Sequence, residues 1–134
     1  MSGEYAIKIV PMLSLRDASH ASAFYQSAFG ARELSRSASP EGRIVAMLAI
    51  GEAEFGVVDE APRVGNLSPE TLGGTSVRIS LVVADPDAVA QRAIDAGAKL
   101  IFPVQDQPYG MRQGRVQDPF GHHWLVGRPI GKTA

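Results

Sequence analysis

The sequence predicts an α+β fold in which one strand–helix–strand–strand–strand unit occurs twice within a single domain spanning residues 1–134. Two segments, residues 7–31 and 76–98, share one plan: alternating apolar residues, an aspartate, an amphipathic stretch and a glycine. Each segment is followed by three short runs that are typical of strands. A chain of this length can bury a hydrophobic core without disulfides, and this chain has no cysteine.

In the first unit, residues 7–15 alternate as a half-buried strand does. Asp17 is the expected N-cap of the helix that follows, and Gly30 is its expected end. We expect the odd-numbered residues of the strand to pack beneath this helix. The even-numbered residues, among them Val10 and Met12, are expected to face a wetter space. Three further strands are predicted at residues 31–37, 43–50 and 53–58.

The second unit repeats this order. Residues 76–83 form its first predicted strand, with Arg78 and Ser80 on the mixed face. Asp85 is the expected N-cap of its helix, and Gly97 suits the left-handed exit. Its remaining strands are predicted at residues 98–104, 112–117 and 122–127.

A segment rich in proline, glycine and serine separates the two units. We interpret residues 59–75 as a linker between a first module of about residues 5–58 and a second module of about residues 76–128. The sequence Ser68-Pro-Glu within the linker favours one helical turn, because proline suits the first helical position.

The last strand has two different faces, because successive side chains of a strand point to opposite sides. Trp124 and Val126 share an apolar face, whereas His123 and Leu125 share the other. A sheet with an apolar back and a mixed front indicates a cavity or an interface at the front.

The aromatic and arginine side chains are candidates for ligand contact. For Phe55 and Tyr109, a core role and a role in stacking on a planar ligand both stay open. Arg78 and Arg112 are candidates for a cation–π contact or for pairing with a carboxylate. The other large rings are expected in the core: Phe24, Phe29, Phe102 and Trp124.

Composition argues against several classes of partner. A net charge of −1 provides no basic surface for nucleic-acid phosphates, and no apolar run approaches the roughly 20 residues of a membrane helix. The N-terminus lacks the basic and apolar pattern of a signal peptide, and a chain without cysteine suits a reducing compartment. We therefore expect a cytoplasmic protein without nucleic-acid or membrane partners.

The order of the elements, with Asp118-Pro-Phe-Gly-His before the last strand, resembles the glyoxalase/bleomycin-resistance superfamily, also called the vicinal oxygen chelate superfamily. Residues 23–31, 68–74 and 107–124 resemble its PhnB-like branch more narrowly. The resemblance extends over about residues 7–128. It implies two modules that curl into a half-open mixed β-barrel, a homodimer that completes it, and a ligand inside the curl.

The resemblance also implies where metal-dependent members hold a divalent ion, with histidine and glutamate. The matching positions here are Val10, Arg78 and Leu125, with Val57 near the fourth. Valine and leucine have no lone pair, and arginine is a permanent cation, so we expect neither a metal nor another cofactor.

The chain's histidines are His20, His122 and His123. The two adjacent ones point to opposite faces of a strand and cannot converge on one ion. His123 shares the front face with Leu125, where it is a candidate for a hydrogen bond to a ligand.

These observations predict a metal-free protein that sequesters a bulky, hydrophobic or aromatic small molecule in a homodimer, as drug-binding resistance proteins of the superfamily do. A peptide or polycyclic antibiotic is the expected kind of ligand. The residues predicted to line its site are Val10, Met12, Phe55, Val57, Arg78, Ser80, Tyr109, Arg112, His123 and Leu125.

Three alternatives stay open. The first is an enzyme of the glyoxalase or dioxygenase type, a lyase or oxidoreductase, with a displaced metal. The second is a metal-independent enzyme in which Arg78 or His123 polarises a carbonyl. The third is an interaction module without a small-molecule ligand.

Overall fold

A computed structural model describes residues 5–131, which form two four-stranded sheets and three α-helices. The first unit contains β1 (Met12–Leu15), α1 (Ala18–Phe29), β2 (Arg32–Ala38), β3 (Ile44–Ile50) and β4 (Ala53–Asp59). A 3-10 turn (Pro62–Val64) and α2 (Pro69–Leu72) follow. The second unit contains β5 (Arg78–Val82), α3 (Pro86–Asp95), β6 (Lys99–Asp106), β7 (Met111–Gln117) and β8 (His123–Pro129). Within residues 5–131, no helix has the length and apolar character needed to cross a bilayer.

Both sheets are mixed and have the same topology. Their strand orders are β1-β4-β3-β2 and β5-β8-β7-β6. In each sheet the first strand of the unit pairs in parallel with the last, and the remaining pairs are antiparallel. The predicted α+β fold with a duplicated strand–helix–strand–strand–strand unit is therefore confirmed.

Helices α1 and α3 begin at the predicted N-caps and α1 ends at the predicted glycine, whereas α3 ends at Asp95, is capped by Ala96 and is followed by Gly97 with φ of 123°. Asp17 Oδ1 accepts a hydrogen bond from the His20 amide at 3.0 Å, and Asp85 Oδ1 accepts one from the Ala88 amide at 3.2 Å. Gly30 ends α1 in the left-handed region, with φ of 69°. The helical turn predicted after Ser68 is confirmed as α2.

One hydrophobic core joins the two units. Helix α1 packs on the first sheet, α3 packs on the second, and the two helices pack on each other. The ring of Trp124 on β8 lies 5.4 Å from that of Tyr25, 4.8 Å from that of Phe29 and 5.5 Å from that of Phe55, measured between centroids. Because both sheets turn one face to this shared core, their other faces point outward.

A buried carboxylate links the helix of the first unit to the β7–β8 turn of the second. Asp118, 3% exposed, accepts hydrogen bonds from the Tyr25 hydroxyl and, at 2.9 Å, from the indole Nε1 of Trp124. Its other oxygen accepts the amides of Phe120 at 3.0 Å and His122 at 2.9 Å. Burial, together with the negative charge of Asp118, raises the pKa of Tyr25 well above its ordinary value.

The first strand is shorter than predicted. It begins at Met12, and Ile7 and Ile9, which were expected beneath the helix, are 98% and 91% exposed. Pro11 lacks an N–H and cannot donate to the ladder, although its carbonyl accepts the Gly56 amide at 2.8 Å. The expectation that the odd-numbered residues pack under the helix is correct for Leu13 and Leu15 only.

The position of Phe102 also differs from the prediction. A bulge in β6 places Leu100 opposite Val116, on the core side, but Phe102 opposite Arg115, on the outer side. The ring is 55% exposed, so its predicted place in the core is wrong.

Candidate functional site

The outer face of the second sheet carries several polar, charged and aromatic side chains. The pairing registers place its side chains in rows across β5, β8, β7 and β6. We call these positions the second-sheet face: Arg78, His123, Gln117 and Lys99 in the first row, Ser80, Leu125, Arg115 and Phe102 in the second, and Val82, Gly127, Gln113 and Gln105 in the third.

The charge of the second-sheet face is positive. Its rows contain Arg78, Arg115 and Lys99 but no carboxylate. The Arg115 guanidinium carbon lies 5.3 Å from the ring centroid of Phe102, within the range of a cation–π contact. Its Nε is buried and has no hydrogen-bond partner among the residues that the structure describes.

His123 occupies the row beside Arg115. Its Nδ1 is buried and unpaired within the described part of the chain. Burial, reinforced by the positive charge of Arg115, lowers the pKa of His123 below its ordinary value. The imidazole is therefore neutral at pH 7. It borders a cavity of about 380 Å³ whose opposite side includes Glu70.

A smaller cavity, of about 250 Å³, opens on the second-sheet face beside Tyr109. Phe102, Leu125 and the guanidinium-bearing side chain of Arg115 form its walls. The Tyr109 hydroxyl donates a 2.8 Å hydrogen bond to Oε1 of Gln113, which holds a ring that is 63% exposed. We call this space the Tyr109 cavity; its other lining residues are Pro103, Gln105, Gln107 and Gly114.

Another cavity, of about 420 Å³, lies where the segment of residues 8–11 meets both sheets. We call it the seam cavity. Val10 and Ser80 both line it, and Phe55 and Trp124 contribute part of its apolar wall.

The outer face of the first sheet carries methionine, serine and valine side chains and is less charged than that of the second sheet. Met12 and Met47 flank Gly56 in one row. A Cβ at Gly56 would lie 2.5 Å from the Met12 Cε and 2.9 Å from the Met47 Sδ, so the absence of a side chain there lets both methionines lie over the strand. We call this the first-sheet face: Met12, Gly56, Met47 and Ser35 in one row, and Ser14, Val58, Val45 and Ser37 in the next.

The structure brings together some of the residues predicted to line the site. Arg78, Ser80, His123 and Leu125 share the second-sheet face, and Tyr109 borders the cavity on it. Val10 meets Ser80 at the seam cavity, whereas Met12 lies on the first-sheet face, so a single chain does not place Met12 beside the other five.

Two residues of the first unit that were predicted to line the site point toward the core instead of the outer face. Val57 is opposite Leu13 in the parallel pair, which places it in the core, where it is fully buried. Phe55 shares that side and packs its ring 5.3 Å from Tyr25, with only part of it at the seam cavity. A shift of one position reverses the face of a strand residue, and Val58 is the neighbour that points outward.

Arg112 is a further correction. It lies opposite Arg128, on the helix side of β7. Its guanidinium donates to both carboxylate oxygens of Asp87 in α3, at 2.8 and 2.7 Å, and to Asp106 at 3.0 Å. These bonds lower the pKa of Asp87 and raise that of Arg112. The predicted ligand contact is therefore replaced by an ion-pair network that fixes α3 to the sheet.

Sequence reasoning missed Arg115 and Phe102 as surface residues. A signal for Arg115 was present in the alternation Gln113, Arg115, Gln117, which marks a polar strand face. The outward turn of Phe102 depends on a bulge, which the sequence does not mark.

The arrangement does not suit a divalent cation. Within residues 5–131, no three side chains of histidine, cysteine, aspartate or glutamate are close enough to share an ion. Where metal-dependent relatives are expected to place ligands, the second-sheet face presents the guanidinium of Arg78 and the methyl groups of Leu125. Neither can coordinate such an ion.

Residues 10–126 match the family described as the Glyoxalase/Bleomycin resistance protein/Dioxygenase superfamily. The chain belongs to this superfamily. The resemblance inferred from the Asp118-Pro-Phe-Gly-His turn and the duplicated unit is thereby confirmed.

The chain is similar to other proteins both in sequence and in fold. An uncharacterized protein of Mycobacterium bovis is 42% identical over 133 residues, covering 93% of this chain and 88% of that protein. The crystal structure of TioX from Micromonospora sp. ML1 has a TM-score of 0.73 at 28% identity, covering 93% of this chain and 100% of TioX. The fosfomycin resistance protein FosX from Listeria monocytogenes has a TM-score of 0.71 at 16% identity, covering 97% and 96%, which shows a shared fold.

Proposed function

We propose that this protein binds a bulky, hydrophobic or aromatic small molecule and sequesters it without breaking a bond, as a drug-binding resistance protein does. The observation that carries the proposal is the second-sheet face, where exposed Phe102 and Tyr109 lie beside arginines that have no carboxylate partner among residues 5–131, and where those residues offer no set of metal ligands. The superfamily's description includes bleomycin resistance proteins, and a fosfomycin resistance protein shares the fold. A peptide or polycyclic antibiotic fits this surface.

In this proposal the second-sheet face contacts the ligand directly. Phe102 and Tyr109 stack on its planar parts, each contributing on the order of 1 kcal/mol beyond the burial of apolar area. Arg78, Ser80 and His123 supply polar contacts next to Leu125.

The proposal includes a homodimer. The Tyr109 cavity is open to solvent and smaller than the roughly 300–1,000 Å³ typical of sites for drug-sized ligands. The first-sheet face of a second copy would add Met12 and Met47, whose flexible thioethers adapt to irregular ligands. Exposed Ile7 and Ile9 would also be covered in such an assembly. A cysteine-free chain of this kind suits the cytoplasm.

Titration calorimetry with a panel of polycyclic and peptide antibiotics tests the binding. We expect saturable binding of at least one compound at micromolar protein. Replacing Phe102 or Tyr109 with alanine should weaken it by roughly tenfold, because each ring loses its stacking contact. Val64→Ala, which truncates an exposed apolar residue of the linker, is the matched control and should bind as the wild type does. Absence of saturable binding across the panel would contradict the proposal.

Recovery of the ligand after binding separates sequestration from catalysis. We expect mass spectrometry to return the compound unchanged, and elemental analysis of protein purified without chelators to show no stoichiometric metal. Conversion of the ligand together with stoichiometric nickel, zinc, manganese or iron would instead favour a glyoxalase- or dioxygenase-type enzyme with a displaced metal site.

Sedimentation velocity tests the dimer. The wild type should sediment as a dimer, and the double variant Ile7→Lys and Ile9→Lys should shift toward monomer, because it places charge on the apolar segment. A monomeric wild type that still binds ligand would remove the second copy from the proposal.

A further inference from the structure

The arginines of the second-sheet face differ in their pairing from three other arginines of the chain. Arg16, Arg36 and Arg112 each lie within 4.0 Å of a carboxylate oxygen. In the described part of the chain, neither Arg78 nor Arg115 has such a partner. The chain contains 14 acidic residues and 13 lysines and arginines, so acidic partners are not scarce. The two arginines are unpaired because the rows around them contain no carboxylate.

Arg115 is unsatisfied as well as unpaired. It is partly buried, and its Nε donates to no described acceptor. An unpaired buried donor destabilises the folded chain, and a charged one does so more strongly. Of the three buried side-chain nitrogens in residues 5–131 that lack a partner, two lie on the second-sheet face: Arg115 Nε and His123 Nδ1. The Arg115 Nε is a donor for certain, and its guanidinium lines the Tyr109 cavity, where an acceptor from outside the chain would meet it.

The surroundings of Arg115 define what kind of acceptor fits. Phe102 holds the guanidinium by a cation–π contact and is itself a wall of the Tyr109 cavity. Tyr109 and Leu125 form further walls, and the cavity of about 250 Å³ has room for an aromatic ring system with one substituent. A guanidinium edge within an aromatic and aliphatic cavity suits a planar, anionic group.

An acidic side chain near His123 is paired with an arginine outside this face. Glu70 borders the cavity beyond His123, and its Oε2 lies 4.0 Å from the Arg16 Nη1. Lys99 and Arg78 extend the positive charge along the first row.

Building on the proposed binding function, we propose that the ligand carries an aromatic carboxylate, which this face recognises through Arg115. The ring packs against Phe102 and Tyr109 in the Tyr109 cavity. The carboxylate accepts hydrogen bonds from the Arg115 guanidinium where it lines the cavity, since arginine binds carboxylates through paired N–H groups. Arg78 contributes attraction at longer range.

Two probes of equal shape test the charge. Calorimetry with 2-naphthoate and with its neutral analogue 2-naphthamide, each at 50 and 300 mM NaCl, measures the preference for the anion. We expect the wild type to bind the naphthoate at least tenfold more tightly at low salt, with a smaller ratio at high salt because partly exposed charges are screened.

Arginine variants test the assignment. Arg115→Met keeps the length of the aliphatic stem and should abolish the preference, while Arg115→Lys keeps the charge but not the fork and should retain part of it. Arg78→Gln should reduce the preference a few-fold. Arg63→Met removes an exposed arginine of the linker and should leave the preference at its wild-type value. Circular dichroism and thermal unfolding verify that each variant is folded.

The outcomes distinguish this inference from the binding function beneath it. Equal affinity of the wild type for the two probes overturns the carboxylate site and leaves sequestration of neutral ligands standing. A preference that persists in folded Arg115→Met overturns the role of Arg115. Failure of both probes and of the whole antibiotic panel to bind overturns the binding function itself.

Discussion

The two sheets share one topology and differ most on their outer faces. The first-sheet face presents Met12 and Met47 over Gly56, with serine and valine beside them. The second-sheet face presents Arg115 and Phe102 in the middle row. The inward positions of both units remained apolar because they form one core, whereas the outward positions, free of that constraint, took on different chemistry. One unit can therefore supply an adaptable apolar wall and the other a charged, aromatic one.

The turns that precede the last strand also differ between the two units. In the first unit, the β3–β4 turn places Gly51 and Glu52 in solvent. In the second, the β7–β8 turn surrounds buried Asp118, which accepts four hydrogen bonds. The equivalent turn of the first unit thus only reverses the direction of the chain. The turn of the second unit also connects α1 to β8 through the hydrogen bonds that Asp118 accepts.

The largest expected effect sharpens the contrast between these turns. Asp118→Ala should lower the free energy of unfolding by about 3 kcal/mol or more, because it leaves the buried Tyr25 hydroxyl and Trp124 indole without their acceptor. Tyr25→Phe, which removes one donor and keeps the acceptor, should lower it by about 1–2 kcal/mol. Urea unfolding followed by tryptophan fluorescence measures both.

Glu52→Ala in the equivalent turn is the control. It should change the unfolding free energy by no more than about 0.5 kcal/mol, since the side chain is exposed. Similar losses for Asp118→Ala and Glu52→Ala would remove the distinction between the two turns.

Two buried glycines give the next effect. A Cβ at Gly114 on β7 would lie 2.7 Å from the Val104 amide nitrogen and 2.8 Å from the Phe102 carbonyl oxygen, both backbone atoms of the bulged β6. Gly114→Ala should therefore lower the free energy of unfolding by about 1–3 kcal/mol.

Gly56→Ala is the matched change on the first sheet. Its Cβ would meet the mobile ends of Met12 and Met47, which can move aside, so the loss should be under about 1 kcal/mol. Thermal unfolding of both variants under identical conditions measures the difference. An equal or larger loss for Gly56→Ala would show that the methionines are held as firmly as the backbone of β6.

The smallest effect concerns the pH dependence of stability. The pKa of His123 is lower in the folded protein than its ordinary value of 6.5, because burial and Arg115 disfavour the cation. The neutral form is therefore favoured by folding, so this contribution is fully present above about pH 6.5 and is lost as the pH falls through the folded-state pKa.

Acidification from pH 7.5 to 5 should consequently lower the melting temperature of the wild type more than that of His123→Gln. Melting temperatures recorded at half-unit intervals of pH measure the difference. Parallel profiles for the two proteins would mean that His123 titrates alike in the folded and unfolded states.

Features governed by local chemistry could be predicted from the sequence. Asp17 and Asp85 cap their helices as predicted, because an aspartate before an amphipathic segment accepts amide hydrogen bonds wherever the helix packs. Alternation likewise placed Arg78 and His123 on one face, since both strands are regular there.

Features that depend on register were not predictable. Val57 and Arg112 were each assigned to the wrong face, because a shift of one residue reverses a strand and the sequence does not specify the pairing. The outward turn of Phe102 follows from a bulge between residues 100 and 102. Exposure of Ile9 depends on what lies opposite the segment before Pro11, which periodicity alone does not reveal.

The aromatic cluster around Trp124 has a consequence for how this duplicated gene can change. Tyr25 and Phe29 from one half provide much of the packing surround for the single indole, which belongs to the other half. A gene encoding only the first 60 or so codons would produce a helix whose rings lose their contacts with Trp124, and the remainder would lack the residues that surround its tryptophan. Each half of the chain therefore depends on the other for part of its core. Either half expressed alone should be insoluble, and expression of both halves together should restore solubility.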